Sequence, residues 1–190
     1  MKKTLIRSLI LVSIVAVSLV IGYGASLVWD KAEKREYPLE YSEYIETASR
    51  DFGVPKKIIY AVIKTESGFS SSAQSSAGAI GLMQITPNTF EEITRKLGDN
   101  YEPGMMFDPQ TNIRYGTYYL NYLYRIYDDW DVVFAAYNAG MGNVSKWLDD
   151  PKLTDDDGKL VNIPFAETEQ YVKKVNDAMK KYVDMYGENF

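Results

Sequence analysis

The chain has 190 residues, a formal net charge of −5 and 46% hydrophobic residues, and it contains no cysteine and no histidine. These absences exclude disulfides, thiolate- or histidine-bound metals, a cysteine-linked lipid anchor and Ser-His-Asp catalysis, so acid–base chemistry must fall to carboxylates, tyrosines or lysines. The acidic balance and the lack of a basic stripe argue against nucleic-acid binding.

The first 29 residues are predicted to be a transmembrane anchor. Three basic residues within the first seven positions precede an uncharged apolar run over residues 8–29. About 22 helical residues span the ~30 Å of a bilayer's hydrocarbon core. The basic residues before this run and the mixed charges over residues 30–36 predict a cytoplasmic N-terminus with the rest of the chain outside. A cleaved signal peptide, with secretion of the domain, is the alternative, since Gly22, Gly24 and Ser26 suit a processing site.

Residues 39–190 follow a short charged linker over residues 30–38 and are predicted to form one mainly helical domain. Thr86 and Asp108 are each followed by proline, the signature of an N-cap before the first helical residue. Neither an internal repeat nor a hairpin signal is present in the sequence. Helices are predicted over residues 39–52, 55–68, 87–97, 109–126, 131–137, 144–148 and 166–185, with polar loops over residues 98–107 and 149–164.

The helix predicted over residues 55–68 carries Glu66, the acid around which the chain is organised. Ile59, Val62 and Ile63 precede this acid at helical spacing, so its carboxyl shares an apolar face and is predicted to point inward or toward a cleft wall. The acid also lies in the last turn, at the negative end of the helix dipole. Burial and the dipole both disfavour the ionised form, so a raised pKa is predicted, which suits a proton donor. A structural glutamate at a helix end is the alternative.

Four fragments occur in a fixed order along the domain, and together they resemble one known family. They are Glu66-Ser67 followed by Ala73, Ser75, Gly78-Ala79 and Gly81-Leu82-Met83-Gln84; then Ala136-Tyr137-Asn138-Ala139-Gly140; then Ile163-Pro164; and finally Glu167-Thr168 with Tyr171-Val172. The ordered set closely resembles the lytic transglycosylase domain of the soluble, goose-type-lysozyme-like family. The resemblance covers roughly residues 41–186.

The resemblance implies a helical lysozyme-like domain (the α+β lysozyme superfold) that cuts the β-1,4 bond between N-acetylmuramic acid and N-acetylglucosamine in peptidoglycan. It implies Glu66 as the single catalytic acid, glycan strands as the partner, and neither a cofactor nor a metal. A serine in the following loop is implied to polarise the reacting sugar, and a tyrosine is implied to lie near the acid. The substrate-binding residues implied by the family are Ser75, Met83, Gln84, Tyr137, Asn138 and Tyr171.

The chemistry of such an enzyme fits the residues available. Ordinary glycosidases need two carboxylates, one as acid and one as nucleophile or base. A lytic transglycosylase needs only one, because the substrate supplies the nucleophile. Glu66 would protonate the glycosidic oxygen, the 2-acetamido group of the sugar would stabilise the charge at C1, and ionised Glu66 would take the proton of the muramyl C6 hydroxyl. That hydroxyl closes a 1,6-anhydro ring, and no water is consumed.

Several of these residues also have structural explanations. Sixteen tyrosines are many for this length, and their flat rings with hydroxyl tips suit helix packing as well as sugar-binding walls. Gln84 interrupts a buried strand-like run, where its amide needs a partner in the protein or in a sugar. Tyr137 and Asn138 can form a helix end, and Tyr171 falls on the apolar stripe of its helix.

Other functions remain open on the sequence alone. A goose-type muramidase would use the same Glu66 to hydrolyse the same bond, with a second carboxylate such as Glu91, Glu102 or Asp108 across the cleft. A non-catalytic wall-binding module would keep an aromatic groove, but it has no need of a carboxylate on an apolar helix face. A domain that opens gaps in the wall for a larger envelope-spanning machine would differ in its partner and not in its chemistry.

Overall fold

The computed structural model describes residues 2–100, 102–188 and 190, and the side chains of these residues apart from 2–16, 27, 30 and 103. It divides into two compact units, Met1–Pro38 and Leu39–Phe190. In the first unit, helix α1 covers Lys2–Glu36. The helix therefore continues through most of the segment that the sequence suggests as a linker.

The predicted membrane-spanning run covers residues 8–29. The side chains of residues 8–16 and 27 within this run lie outside the part of the chain that the structure describes. Among the residues that are described, no helix is both long enough and apolar enough to cross a bilayer. The described part of the run still exposes large apolar side chains: Val17, Leu19, Val20, Ile21, Tyr23, Val28 and Trp29.

The second unit is helical, and its helices follow the predicted ones closely. The two N-caps are confirmed: Thr86 Oγ1 accepts from Thr89 N at 3.3 Å, and Asp108 Oδ2 accepts from Thr111 N at 2.8 Å. A 3-10 helix forms within the loop predicted over residues 98–107. The elements are α2 Ser42–Phe52, α3 Lys56–Ser67, α4 Pro87–Leu97, the 3-10 helix Pro103–Phe107, α5 Pro109–Tyr127, α6 Trp130–Ala139, α7 Met141–Leu148 and α8 Ala166–Tyr186.

Helix α3 contributes an unbroken buried run, Ile58 to Ile63, to the core of this unit. It packs most extensively against α8 and also against α2, while α6 packs against α5 and α8. Ile59, Val62 and Ile63 are fully buried, as their spacing predicts. The end of α3 is fixed by Gly68, whose φ of 58° is left-handed and costs glycine little. Helix α3 therefore ends at Ser67, one residue after Glu66.

The run predicted to be strand-like at residues 81–85 is a turn, and this expectation is wrong. Gly81 and Gln84 have φ of 81° and 49°, and such positive values do not occur within a strand. Isolated antiparallel bridges join Ile80 to Gln74 and to Ile85, although the sequence has no hairpin signal. Backbone bonds between Ile80 and Ile85 close the turn, but the side chains of Asn112 and Tyr137 that hold it in place lie far away in the sequence, so local patterns could not reveal their role.

Asn112, on the first turn of α5, holds this turn in place. It is 1% exposed, and its Nδ2 donates to Ile80 O at 3.0 Å and to Met106 O at 2.8 Å. Its Oδ1 accepts from Met83 N at 2.8 Å. Gly81 packs so closely that an added Cβ would lie 2.6 Å from Met106 O. One amide thus satisfies three buried backbone groups.

We expect Asn112→Ala to destabilise the chain by several kcal/mol, since each buried polar group left unpaired costs about 1–3 kcal/mol. Thr117→Val is the matched control, because Thr117 lies on the same helix and its buried Oγ1 has no hydrogen-bond partner in the described part of the chain. Chemical denaturation followed by circular dichroism measures both variants. Equal midpoints for the wild type and Asn112→Ala would contradict the assigned role.

Candidate active site

The carboxyl of Glu66 lies in the last turn of α3, and the residue is half-buried. Tyr171 Oη donates a hydrogen bond of 2.7 Å to Glu66 Oε1. Burial raises the pKa of Glu66 to about 7, and the hydrogen bond from Tyr171 opposes part of this rise because it stabilises the carboxylate. A group with this pKa can both give and accept a proton near neutral pH. The raised pKa predicted from the sequence therefore agrees with the structure.

Two tyrosine hydroxyls lie beside this carboxyl. Tyr171 on α8 is buried, and Tyr137 on α6 is half-buried and donates to Met83 O at 2.8 Å. Burial and then the charge of Glu66 raise the pKa of both phenols well above their ordinary value. Both hydroxyls therefore stay protonated and act only as neutral hydrogen-bonding groups at physiological pH.

The turn over residues 81–85 follows a serine-rich loop over residues 70–76 and is bonded to Ser67, the residue after Glu66. We call this turn the floor of the site. Ser67 Oγ donates to Leu82 O at 2.8 Å, which joins the end of α3 to the turn. Gln84 Nε2 donates to Gly81 O at 2.9 Å and to Ala73 O at 3.2 Å. The amide of Gln84, which the sequence indicates must have a partner, thus has two within the protein.

The remaining predicted site residues differ in how they are placed. Met83 is fully buried with its side chain close to Gly116, so it presents backbone atoms and not its side chain to Tyr137. Ser75 is exposed, and its Oγ accepts from Ala79 N at 3.0 Å within its own loop. Asn138 is exposed at the end of α6, where its Oδ1 accepts from Thr168 Oγ1 at 2.8 Å.

Two residues that shape the site were not singled out from the sequence. Thr168 lies inside one of the quoted fragments, but nothing local shows that its buried hydroxyl bonds to Asn138. Asn112 stands four residues before Gly116 on the inward stripe of α5. A polar residue at a core position of an amphipathic helix is a usable signal, because burial without a partner is costly.

No second carboxylate contributes to the pKa of Glu66 among the described residues, since burial and Tyr171 are its causes. Glu91 and Glu102 are exposed, and Asp108 caps α5. Within the same part of the chain, no three Asp or Glu side chains are grouped so that they could hold a metal ion. The arrangement is thus one protonatable carboxyl, two phenols and a floor of backbone carbonyl groups.

Comparison with known proteins identifies the family. The profile of the transglycosylase SLT domain matches residues 43–158, which is more than half of the chain. The chain belongs to the transglycosylase SLT domain family. The mainly helical fold of this SLT domain is similar to that of the 70-kDa soluble lytic transglycosylase from Escherichia coli, with a TM-score of 0.75 and 32% identity over 83% of this chain and 26% of that one. The match supports the lysozyme-like fold that the sequence resemblance implies.

Two curated relatives align with the SLT domain and a little beyond it. The soluble lytic murein transglycosylase of Escherichia coli K12 is 36% identical over 165 residues, covering 83% of this chain and 25% of the relative. The membrane-bound lytic murein transglycosylase C of Shigella sonnei is 33% identical over 182 residues, covering 83% of this chain and 50% of the relative. The chain therefore spans between a quarter and a half of the length of these relatives.

We expect Tyr171→Phe to raise the pKa of Glu66 above its value of about 7, because the variant lacks the hydroxyl that stabilises the carboxylate. Titration of the Glu66 carboxyl carbon by NMR measures this directly and needs no substrate. Tyr137→Phe is the matched control, since the hydroxyl of Tyr137 bonds to Met83 O and not to Glu66. A midpoint that stays the same or falls in Tyr171→Phe would refute the assignment.

Proposed function

We propose that the chain is a peptidoglycan lytic transglycosylase. It cuts the β-1,4 bond between N-acetylmuramic acid and N-acetylglucosamine and leaves 1,6-anhydro-N-acetylmuramic acid ends. The observation that carries this proposal is the half-buried Glu66, with a pKa of about 7 and a hydrogen bond from Tyr171, in a domain of the SLT family. Both named relatives are described as lytic murein transglycosylases, which supports the same chemistry here.

The hydrogen bond from Tyr171 determines which oxygen of Glu66 carries the acid proton. Tyr171 keeps its own proton, because its pKa is raised well above the ordinary value. It therefore donates to Oε1 whether Glu66 is ionised or neutral. The carbonyl oxygen of a neutral carboxylic acid is its better acceptor, so the proton of Glu66 lies on Oε2. This oxygen donates to the glycosidic oxygen in the first step.

The second step returns the proton. After the C1–O bond breaks, the 2-acetamido oxygen of the substrate stabilises the positive charge at C1, and the N-acetylglucosamine product leaves with the proton from Glu66. The carboxylate then removes the proton of the C6 hydroxyl, whose oxygen bonds to C1 and closes the anhydro ring. Because the pKa of Glu66 is about 7, its neutral and ionised forms are both accessible near neutral pH, so the same group can act first as acid and then as base.

The proposal favours intramolecular ring closure over hydrolysis. A hydrolase that activates water uses a second carboxylate as base. The three carboxylates that the sequence leaves open do not contribute to the pKa of Glu66, as a carboxylate across a narrow cleft would. The chemistry is therefore assigned to one acid. Exposed Ser75 and Asn138, and half-buried Gln84, supply polar contacts to the sugars, whereas Met83 acts through its backbone.

We expect Glu66→Gln to abolish cleavage of purified peptidoglycan, because glutamine cannot give up a proton to the leaving oxygen. Mass spectrometry of the muropeptides released by the wild type identifies the reaction. Anhydro ends weigh one water less than the reducing ends that hydrolysis produces. Near wild-type cleavage by the variant would show that Glu66 is not the catalytic acid. Reducing ends among the wild-type products would indicate a hydrolase instead of a transglycosylase. No soluble product from the wild type would favour a binding module.

The same variant tests how the pKa of Glu66 makes the stability of the fold depend on pH. The folded pKa of Glu66 is about 7, above its usual 4.5, so the folded state holds this proton more tightly than the unfolded state does. Its stabilising contribution is complete below about pH 4.5 and is lost as the pH rises through about 7, a change of about 3 kcal/mol. Glu66→Gln is therefore expected to unfold at higher denaturant than the wild type at pH 8 and similarly at pH 4.

We further propose that the apolar run over residues 8–29 anchors the chain in the membrane with the SLT domain outside. The exposed apolar side chains of its described part and the membrane-bound relative from Shigella sonnei support this. Secretion after cleavage of the run is the alternative. We expect the chain to fractionate with membranes and to retain its original N-terminus when sequenced. A mature N-terminus near Ser26 would overturn the anchor and leave the catalytic proposal intact.

A further inference from the structure

A hydrogen bond between two side chains joins α6 to α8 beside the candidate site. Thr168, the third residue of α8, is 2% exposed, and its Oγ1 donates to Asn138 Oδ1 at 2.8 Å. Asn138 is exposed near the end of α6 and directly follows Tyr137. Tyr171, which donates to Glu66, follows Thr168 by one helical turn. Each partner of the bond is thus next to a tyrosine of the site.

The hydroxyl of Thr168 does not have the usual partner of a threonine in a helix. Thr65 and Thr94 each donate to the carbonyl four residues before them in their own helix, which is the common arrangement. Thr168 lies in the first turn of α8, so the carbonyl four residues before it is outside the helix. Its hydroxyl bonds instead to a side chain 30 positions away. The bond therefore depends on how α6 and α8 pack together.

This bond determines which way round the amide of Asn138 lies. Among the described residues, no second group accepts the proton of the buried Thr168 hydroxyl. If this hydroxyl accepted a bond from Nδ2, its own proton would be buried without an acceptor, which is costly. The hydroxyl therefore donates to Oδ1. The Nδ2 group of Asn138 remains as a donor, and within the described part of the chain no acceptor is bonded to it.

We propose that Thr168 is a positioning residue that holds Asn138 so that its amide offers N–H groups, and not its oxygen, to a carbonyl oxygen of the glycan. This inference deepens the proposed function and rests on it. An unrestrained amide can rotate to present either its oxygen or its nitrogen. Fixing the amide before the substrate binds removes the entropy cost of ordering it later. The acetamido groups of wall sugars carry carbonyl oxygens that only accept hydrogen bonds, so an amide held as a donor matches them.

A purely structural role for Thr168 would concern only the packing of α6 against α8. A second side-chain bond joins these helices about two turns further along α8, where Asn176 Nδ2 donates to Asp131 Oδ1 at 2.7 Å. This bond does not involve the amide of Asn138. Asn176→Ala is therefore the matched control, because it removes one bond between α6 and α8 and leaves the bond from Thr168 in place.

The test is a double-mutant cycle on the cleavage of purified peptidoglycan by the full chain. Thr168→Val keeps the shape of the side chain without its hydroxyl and is expected to lower kcat/KM about tenfold, the loss of one orienting hydrogen bond. Thr168→Ser keeps the hydroxyl and is expected to restore most of the activity. In a chain that already carries Asn138→Ala, Thr168→Val is expected to cause no further loss, because the amide that it positions is absent. Asn176→Ala is expected to keep the wild-type kcat/KM.

The pH dependence distinguishes the positioning of Asn138 from an effect on Glu66. Burial and the bond from Tyr171 set the pKa of Glu66, and Thr168 is not among the causes. The pH midpoint of kcat/KM is therefore expected to be the same in Thr168→Val and in the wild type. A shifted midpoint would show that the substitution acts through Tyr171 and Glu66, and it would overturn the role assigned to Thr168.

Two other results would also overturn this role: additive losses in Thr168→Val and Asn138→Ala, or an equal loss in Asn176→Ala. If Thr168→Val does not fold, Thr168→Ala and Thr168→Ser replace it, because both lack the methyl group and they differ only in the hydroxyl.

The proposed function is judged separately by the wild type. If the wild type cuts nothing, the catalytic proposal fails, and the same cycle is measured as sedimentation of the full chain with purified peptidoglycan. A loss of binding in Thr168→Val that disappears in the Asn138→Ala background would keep Thr168 as a positioning residue for glycan binding. Equal binding by all variants would overturn that role as well.

Discussion

The domain is built around one carboxyl group that is half-buried on an apolar helix face with a phenol as its hydrogen-bond donor. A carboxylate in such a place is unfavourable, and its pKa rises to about 7 as a result. The donor comes from a tyrosine 105 positions further along the chain, so the last helix must return to the first helices of the domain. The packing of α3 against α8 thus brings the hydroxyl of Tyr171 within hydrogen-bond distance of Glu66. The chain has neither histidine nor cysteine, so it lacks the side chains that ordinarily titrate close to neutral pH.

A second constraint is the turn between the serine-rich loop and α4. Three helices hold it by side chains bonded to its backbone: Ser67 from α3, Asn112 from α5 and Tyr137 from α6. These hydrogen bonds hold the backbone atoms of Leu82 and Met83, so the rigidity of the turn does not depend on the side chains of these two residues. The floor of the site and the end of α3 are consequently one connected unit. Rigid support of this kind is what precise placement of an acid requires.

The sequence predicted the features that depend on neighbours along the chain. Thr86 and Asp108 cap their helices as expected, and the position of Glu66 in the last turn of α3 followed from helical spacing and from Gly68. It could not predict features that depend on distant partners. The positive φ of Gln84 and the buried side chain of Met83 arise because the turn is held by residues up to 54 positions away, as in the bond from Tyr137. The resemblance supplied the list of site residues, but not the way in which each one contributes.

The extent of the family profile has a practical consequence for anyone who excises this domain. The profile ends at residue 158, within the loop before α8. Tyr171 and Thr168 lie after that point, and they bond to Glu66 and Asn138, which lie before it. A fragment trimmed to the profile would keep Glu66 and lose the phenol that donates a hydrogen bond to it, together with the whole of α8, which packs against α3. The smallest fragment that keeps the proposed site intact must therefore reach through the terminal helix, and a boundary drawn from the family profile alone would divide that site.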